Sequence, residues 1–308
     1  MKRYYRVMLG AKSIYADECF KGNFIGADFL ADIDLTGQLP DDWRQFNMKF
    51  IPVWLERHVG KSKVAAGLSC GALWTISKGI RVGDIVLCPN GTGAYFVGEV
   101  LDNYSYHANE KNPHRRTVKW YPVAIERSAM SDGLKNSTGS IGTVSEITKH
   151  TDEIEGLIGG NKPATLISTD ETVEDASVFA LEKHLEDFLV KNWNQTELGK
   201  TYDIYEEDGE LVGQQYPSDT GPIDILAISK DKKTLLIVEL KKGRVSDNVV
   251  GQIQRYMGYV KEELAEENQQ VKGVIIGLED DLRIKRALSV TTNIDFYRYQ
   301  VSFKLFKS

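Results

Sequence analysis

The sequence predicts an α+β protein with two domains, a β-rich N-terminal domain and a C-terminal α/β domain built on a mixed sheet. Three observations predict this. The chain has 308 residues, which is long enough for two domains. Residues 1–150 carry 19 Lys and Arg against 15 Asp and Glu, whereas residues 151–308 carry 19 against 29, so the net charge of −6 is unevenly divided. The apolar pattern also changes at residue 178, from short strand-like segments to alternating helices and strands. We therefore expect domains over 1–150 and 178–308, joined by a linker over 151–177.

The N-terminal domain reads mainly as short strands and turns over residues 4–100. Segments rich in aromatic and β-branched residues, bounded by Gly, Asn or Asp, predict strands at Tyr4–Leu9, Phe24–Phe29 and Gly93–Val100. Near-helical spacing of apolar residues predicts one helix at about 61–78.

The C-terminal domain opens with a helix predicted over Val178–Trp193, whose apolar residues form one stripe. Two apolar strands follow, Pro222–Ser229 and Thr234–Leu240, and a lysine-rich turn separates them. The remaining predicted elements are a helix at Ser246–Glu263, a strand at Val271–Leu278, a helix at Asp281–Val290 and a strand at Ile294–Phe306. This order is typical of a mixed, partly parallel sheet.

Several functional classes lack their sequence signatures. No run of about 18 apolar residues predicts a membrane helix, and the N-terminus is too polar for a signal peptide, so we expect a cytoplasmic protein without membrane contact. The three cysteines and five histidines show no paired metal-binding spacing, so carboxylates would have to hold any metal, which favours Mg²⁺ or Mn²⁺. The Gly-rich turn Pro89–Gly93 lacks the spacing of a phosphate-binding loop, and we expect no nucleotide cofactor.

Charged residues interrupt the two apolar strands of the C-terminal domain. Asp224 lies in the first strand, and Glu239 and Lys241 lie at the end of the second. If the strands pair as a hairpin, both carboxylates and the ammonium converge at one edge of the sheet. Oxygen ligands and a nearby cation fit metal-assisted hydrolysis of a phosphodiester. An E-x-K triplet alone is more typical of a surface salt bridge, and it is the combination with a strand Asp and flanking helices that favours catalysis.

Two helices offer further polar groups to this edge. Glu182 and Glu186 lie four residues apart on the first helix, so either could be the metal-side carboxylate, and we favour Glu182. Gln252 and Tyr256 have the same spacing on the second helix and could contact phosphate or water.

The segments Gly221–Leu226 (GPIDIL), Ile237–Lys242 (IVELKK) and Val250–Tyr256 (VGQIQRY) resemble the PD-(D/E)xK nuclease superfamily. The resemblance covers about 178–280 and is specific for the C-terminal nuclease domain of the NucS/EndoMS mismatch endonucleases and related restriction enzymes. It implies a restriction-endonuclease-like fold and Mg²⁺- or Mn²⁺-dependent DNA cleavage. The residues that it implies are metal ligands Asp224, Glu239 and Glu182, with Lys241 and Gln252 also catalytic.

The segments Ile80–Leu87, Tyr95–Val100, Tyr104–His107 and His114–Trp120 are similar to PUA-like modules, including EVE and YTH relatives and the readers of some modification-dependent restriction enzymes. This resemblance covers about 1–125 and implies a small β-barrel that holds a flipped, modified base between aromatic faces. Each aromatic residue alone is more typical of a core. The candidates for the nucleic-acid site are Trp43, Trp54, Trp74, Tyr104, Tyr106, Trp120 and Asp28, with Arg115 and Arg116 as exposed phosphate contacts.

The sequence therefore predicts a modification-dependent DNA restriction endonuclease that works as a homodimer, because one such centre cuts one strand. Three alternatives remain: a repair nuclease acting on mismatched or branched DNA, a non-catalytic reader that dimerises through a degenerate nuclease fold, and an RNA-binding module.

Overall fold

A computed structural model describes residues 2–140, 142–159, 185–241, 245, 248–278 and 282–299. The chain divides into two compact units, Met1–Glu171 and Thr172–Ser308. Across the described ranges, no helix combines the length and apolar character that a membrane span requires.

The first unit is built on one curled sheet. Its strands are β1 (Tyr4–Val7), β2 (Phe24–Ala27), β3 (Ile85–Pro89), β4 (Ala94–Val100), β5 (Ser105–Tyr106), β6 (His114–Glu126) and β7 (Val144–Glu146). The order is β2-β6-β4-β3-β1-β7, with β5 also paired to β6. β1 and β3 run parallel, and the other pairs are antiparallel. A bulge in β4 between Phe96 and Gly98 bends the sheet, which forms a half-barrel with β2 and β7 at its two ends.

Helices cover both faces of this sheet. They are α1 (Ala16–Gly22), α2 (Trp43–Arg57), α3 (Lys63–Trp74, continued by a wider turn over Thr75–Gly79), α4 (Asp132–Thr138) and α5 (Thr151–Ile158). Alternation along β1 separates two cores: Tyr5 packs in the core that contains α1–α3, whereas Tyr4 packs with Leu134 of α4 and Ile154 of α5. Residues 160–177, the remainder of the predicted linker, lie outside the described residues.

The prediction of mainly strands over residues 4–100 missed α1 and α2. The aromatic content of α2 suggested strands, but Phe46, Phe50 and Trp54 repeat every four residues and bury one helical face. Asp42 caps the helix by accepting a 3.0 Å hydrogen bond from the backbone N–H of Gln45. Helical spacing and a good cap therefore outweigh the strand propensity of the aromatic residues.

The second unit contains a mixed sheet. Its strands are β8 (Tyr202–Ile204), β9 (Gln214–Tyr216), β10 (Ile223–Ser229), β11 (Thr234–Leu240), β12 (Gln270–Gly277) and β13 (Ile294–Arg298). The order is β13-β12-β11-β10-β8, with β9 also paired to β10. The β10–β11 hairpin is antiparallel and β11, β12 and β13 are parallel, which confirms the predicted mixed sheet. The predicted last strand is described only to residue 299.

Helices flank this sheet as well. Helix α6 is described over residues 185–191, α7 spans Asn248–Tyr259 and α8 spans Leu282–Leu288. Along β11, Leu236, Val238 and Leu240 face the core that contains Trp193, so Glu239 faces the opposite side. A Cβ on Gly273 would lie 2.8 Å from Met257 Sδ, so this glycine allows α7 to pack closely against β12.

Candidate active site

The β10–β11 hairpin brings Asp224 and Glu239 to one end of the sheet. Ile225 pairs with Val238, so Asp224 and Glu239 occupy the next opposed positions and share a face. The backbone N–H of Leu240 donates a 2.8 Å hydrogen bond to Asp224 Oδ2. This bond fixes the Asp224 carboxylate against β11.

Lys241 joins the same cluster from just beyond β11. Its Nζ lies 3.2 Å from Glu239 Oε1, and the two side chains are 23% and 3% exposed. The backbone N–H of Lys241 donates to Ile276 O at 2.8 Å, which extends the pairing with β12 to this residue. The structure therefore brings the two strand carboxylates and the ammonium together, as the sequence predicts.

The pKa of Asp224 is raised well above its ordinary value. Burial is the largest cause, and the negative charges of Glu239 and Glu186 follow. The N–H of Leu240 and the charge of Lys241 lower the same pKa without cancelling the rise. The site therefore holds more negative charge than its own donors balance, which favours binding of a cation.

The described part of the first helix contributes Glu186 to the site. Glu186 is 3% exposed, and it accepts hydrogen bonds of 2.6 Å at Oε1 from Gln214 Nε2 and of 2.6 Å at Oε2 from Gln215 Nε2. Glu182, which we favoured from the sequence, lies outside the described residues. Within the described part of α6, Glu186 is the carboxylate that acts on Asp224.

Two glutamines of β9 were missed from the sequence. Gln215 Nε2 donates to Glu186 and also to Asp224 Oδ1 at 3.1 Å, so one amide bridges the helix and strand carboxylates. Gln215 has a left-handed backbone, with φ of 52°. A left-handed residue within a strand breaks the alternation of faces, which allows neighbouring Gln214 and Gln215 both to reach Glu186. No motif in the sequence signals this conformation.

Helix α7 adds Gln252 and Tyr256 to the site. Gln252 Nε2 donates to the Tyr256 hydroxyl at 3.4 Å. Burial raises the pKa of Tyr256, and the charges of Glu239 and Asp224 raise it further, which places the ring near both carboxylates. A Cβ on Gly221, whose φ is 122°, would lie 3.2 Å from the Tyr256 hydroxyl, so glycine leaves room for this ring.

The donor set fits a hard divalent cation. Asp224 and Glu239 offer carboxylate oxygens, which Mg²⁺ and Mn²⁺ prefer. In the ranges that the structure describes, no three Asp, Glu, His or Cys side chains converge to form a complete metal site. Mg²⁺ is commonly bound through one or two carboxylates, with water and substrate phosphate completing its shell, so the strand pair suffices.

The four predicted base-binding tryptophans of the first unit each have packing partners within that unit. Trp54 is 6% exposed and stacks on His58, with ring centroids 3.9 Å apart. Trp74 and Trp120 are partly buried against the core that contains α1–α3. Trp43 faces Gly71, where a Cβ would lie 2.6 Å from its ring. The structure therefore gives each of these four tryptophans a packing role, and their part in base binding stays a prediction.

Tyr104 and Tyr106 do lie together, around a buried histidine. The Tyr104 hydroxyl is 2.9 Å from His114 Nδ1 and accepts a hydrogen bond from the Leu35 N–H. His114 Nε2 lies 3.2 Å from Leu30 O, which can only accept, so Nε2 carries the proton and Nδ1 accepts from Tyr104. Burial lowers the pKa of His114, in keeping with a neutral ring.

The same cluster ties down the loop after β2. Tyr106 donates to Ala31 O at 2.8 Å, so both tyrosines hold this loop against β5 and β6. Asp28, at the start of the loop, is exposed.

The expectation that Arg115 and Arg116 are exposed phosphate contacts is corrected, because both are buried. Arg116 donates to Asp102 O and Ile80 O at 2.6 Å each, and to Ile76 O and Ser77 O at 3.3 and 3.4 Å. Burial lowers its pKa to about 10. The carbonyls of Ile76, Ser77 and Ile80 lie in or just after the turn that follows α3, where a cation is favourable.

Arg115 is engaged in the same way. It donates to Asn112 O and Lys111 O at 2.9 and 2.8 Å, pairs with Glu110 at 2.7 Å, and lies over the Phe24 ring. A buried guanidinium is stable here because carbonyls and a carboxylate replace water.

Two family models match the chain. Residues 5–148 match a model described as a domain of unknown function (DUF8426), and residues 181–298 match the endonuclease NucS C-terminal domain. Endonuclease NucS of Methanocaldococcus jannaschii is 34% identical over 74 residues, which are 24% of this chain. The chain spans about a quarter (27%) of the length of that relative.

Solved structures of low similarity also match. A repair endonuclease from Pyrococcus abyssi matches at 13% identity and a TM-score of 0.31, over 69% of this chain and 66% of that one. An EndoMS complex with double-stranded DNA matches at 12% identity and a TM-score of 0.32, over 70% and 68%. Scores this low carry no argument about this chain. The similarity that bears on the site is therefore that of residues 181–298 to the endonuclease NucS C-terminal domain.

Proposed function

We propose that this chain is a divalent-metal-dependent DNA endonuclease. Its C-terminal unit hydrolyses phosphodiester bonds, and its N-terminal unit directs cleavage to DNA that carries a modified base. The observation that carries the proposal is the cluster of Asp224, Glu239 and Lys241, in which burial, and after it the neighbouring carboxylates, raises the pKa of Asp224. The match of residues 181–298 to the endonuclease NucS C-terminal domain supports the same chemistry.

Asp224 and Glu239 are the residues that would hold Mg²⁺ or Mn²⁺, and Glu182 remains a further proposed ligand. When bound, the ion supplies Lewis-acid polarisation of the phosphate and a lower pKa for bound water. Glu186 contributes negative charge beside this position, and the Gln215 amide holds it there.

Two side chains of this chain, Lys241 and Tyr256, act on the phosphate, and a third, Gln252, positions one of them. Lys241 is partly exposed and held by Glu239, so its ammonium can offset the charge that develops on a phosphate oxygen. The raised pKa of Tyr256 keeps its hydroxyl protonated at neutral pH, so it can donate to phosphate or water. Gln252 orients this hydroxyl through their hydrogen bond.

The N-terminal unit is proposed to read a flipped, modified base. The support is the similarity of its segments to PUA-like modules and the half-buried pair Tyr104 and Tyr106, which lie together. A homodimer follows from single-strand chemistry at each centre: two copies are needed for a double-strand break. Molecular mass on cleaved duplex tests this point, since double-strand cutting by a strict monomer would contradict it.

A digestion panel tests the function. The wild-type protein and Glu239→Gln are incubated with unmodified, methylated, hydroxymethylated and mismatched duplexes, in Mg²⁺ or EDTA. We expect Mg²⁺-dependent cleavage of modified DNA and none by Glu239→Gln. Selective cleavage of mismatched duplexes would instead assign repair, and equal activity in EDTA and for Glu239→Gln would reject this centre.

A further inference from the structure

Arg6 is a buried cation with few partners. It lies on β1, is 2% exposed, and faces the side of the sheet that carries α4 and α5, because Tyr5 and Val7 face the other core. Its Nη1 donates to Gly142 O, whereas its buried Nε has no acceptor among the described residues. Burying a guanidinium without compensation is unfavourable by several kcal/mol.

Arg116 of the same unit shows how the fold satisfies a buried guanidinium when the role is structural. Arg116, also 2% exposed, donates to four backbone carbonyls. Arg6 donates to one. The difference indicates that acceptors for Arg6 come from outside the described protein atoms.

A second guanidinium lies near Arg6. Arg127 donates to the Tyr95 hydroxyl at 3.0 Å, to Lys135 O at 3.0 Å and to Thr138 Oγ1 at 3.4 Å. Burial is the largest cause of the lowered pKa of Arg6; Tyr95 and Cys88 raise this pKa, and the charge of Arg127 lowers it. Neither arginine has a carboxylate partner within the described residues. Among the residues that the structure describes, no carboxylate therefore balances these two cations.

Hydroxyl groups complete the surroundings. Ser145 on β7 pairs directly with Arg6 on β1, so their side chains share a face. Ser140 donates to Ser145 Oγ at 3.2 Å, and Ser145 donates to Ser137 O at 3.4 Å, so both hydroxyls would have to turn from these long bonds to donate to a ligand. Both serines are partly exposed, so solutes in water can reach this end of the group. Guanidinium and hydroxyl donors together are typical of sites for phosphate oxygens.

We propose that Arg6, Arg127, Ser140 and Ser145 form a binding site for a phosphate group in the N-terminal unit. A phosphate accepts more hydrogen bonds than a carboxylate and so suits the several donors gathered here. The phosphate belongs either to a nucleic-acid strand or to a small free anion. The site lies in a different unit from Asp224 and does not depend on the nuclease proposal.

Thermal melting of the full chain in EDTA tests the site, with inorganic phosphate replacing chloride at constant ionic strength. With phosphate about tenfold above its Kd, we expect the Tm of the wild-type protein to rise by about 3 °C. Arg6→Met should abolish the rise and melt no lower than wild type in chloride, because it removes a buried, unbalanced charge. Ser145→Ala should reduce the rise in Tm while preserving the fold. This variant provides the test if Arg6→Met does not fold. Arg57→Met, which removes an exposed pair with Asp32, is the matched control and should keep the full response.

Short oligonucleotides with and without a 5′-phosphate identify the source. Stabilisation by both oligonucleotides indicates that the site binds the phosphodiesters of a strand. Stabilisation by the 5′-phosphorylated oligonucleotide alone indicates a terminal phosphate, and stabilisation by inorganic phosphate alone indicates a small free anion. The proposal would be overturned if the Tm of the wild-type protein were equal in phosphate and in chloride. It would also be overturned if Ser145→Ala and a variant of Arg6, either Arg6→Met or Arg6→Lys, both kept the full response to phosphate.

Discussion

Asp224→Asn should stabilise the metal-free protein at neutral pH. The substitution keeps the shape of the side chain and an oxygen for the Leu240 N–H, but removes a buried charge that Glu239 and Glu186 oppose. A carboxyl whose pKa is higher in the folded state than in the unfolded state makes folding less favourable as pH rises from the unfolded value through the folded one. Above that range the whole penalty is present in the wild-type protein and absent from the variant.

The magnitude follows from two opposed effects. Each unit by which folding raises the pKa corresponds to about 1.4 kcal/mol of unfavourable ionisation at neutral pH. Against this, the hydrogen bond from Leu240 N–H to a neutral amide is weaker than one to a carboxylate, and the amide nitrogen of the variant faces the Gln215 Nε2 donor where Asp224 Oδ1 accepts. Together these two changes cost about 2 kcal/mol. Because the pKa of Asp224 lies well above its ordinary value, the first effect exceeds the second. We expect a net gain in stability, and each 1 kcal/mol of that gain raises Tm by roughly 3 °C.

The assay is thermal or urea unfolding of both proteins in EDTA at several pH values from 4 to 8. The stability difference should be small near pH 4, grow as pH rises and then level off. Added Mg²⁺ should stabilise the wild-type protein more than Asp224→Asn and so shrink or reverse the difference.

Asp231 provides a matched control at the other end of the hairpin. The Ser229 hydroxyl and the Lys233 N–H lower the pKa of Asp231, so Asp231→Asn should lose stability at neutral pH, the opposite sign. If Asp224→Asn also lost stability at pH 8 in EDTA, the carboxylate would be balanced by its neighbours, and the reasoning for a cation site would fail.

Three further predictions concern single side chains. Gln215→Met should weaken Mg²⁺ binding, measured by calorimetry, because Glu186 and Asp224 lose the shared donor that holds them in place. Gln214→Met leaves Asp224 untouched and should weaken Mg²⁺ binding less. Lys241→Gln should lower kcat for DNA cleavage by about 10²-fold with little change in Tm, since the ammonium acts on developing charge; a parallel loss of Tm would assign it a structural role. Arg116→Met should destabilise the protein by about 3 kcal/mol in urea unfolding because it strands several buried carbonyls, and a loss below about 1 kcal/mol would contradict this.

The hairpin at the candidate site could be predicted from the sequence because its signals are local. Two apolar runs flank a short polar turn, and the carboxylates stand where strand alternation puts them on one face. The contribution of Glu186 could not be fixed in the same way, because Glu182 and Glu186 share a helical face. Their ranking depends on contacts with β9, which the sequence does not encode locally.

The prediction that Arg115 and Arg116 are exposed was wrong for a related reason. Arg116 is buried because carbonyls 36–40 residues earlier in the chain accept its hydrogens. Composition indicates that a guanidinium is costly to bury, but not that a distant turn will supply acceptors. The same limit applies to Gln215, whose left-handed backbone brings it to Glu186 and Asp224.

Whether a buried charge has acceptors or counter-charges within the protein therefore separates a structural residue from a candidate ligand-binding residue in this chain. Arg116 is buried, and its Nε and Nη1 donate to four backbone carbonyls, so its charge is stabilised without a ligand. Asp224 is buried beside Glu239 and Glu186, and Arg6 is buried with an Nε that has no acceptor among the described residues, so we expect each to lower the stability of the unliganded fold. A ligand of opposite charge removes that penalty on binding, so the two sites should show opposite preferences, for a cation near Asp224 and an anion near Arg6. If the two sites act independently, Asp224→Asn should remove the stabilisation by Mg²⁺ and keep the stabilisation by phosphate. Arg6→Met should remove the stabilisation by phosphate and keep the stabilisation by Mg²⁺.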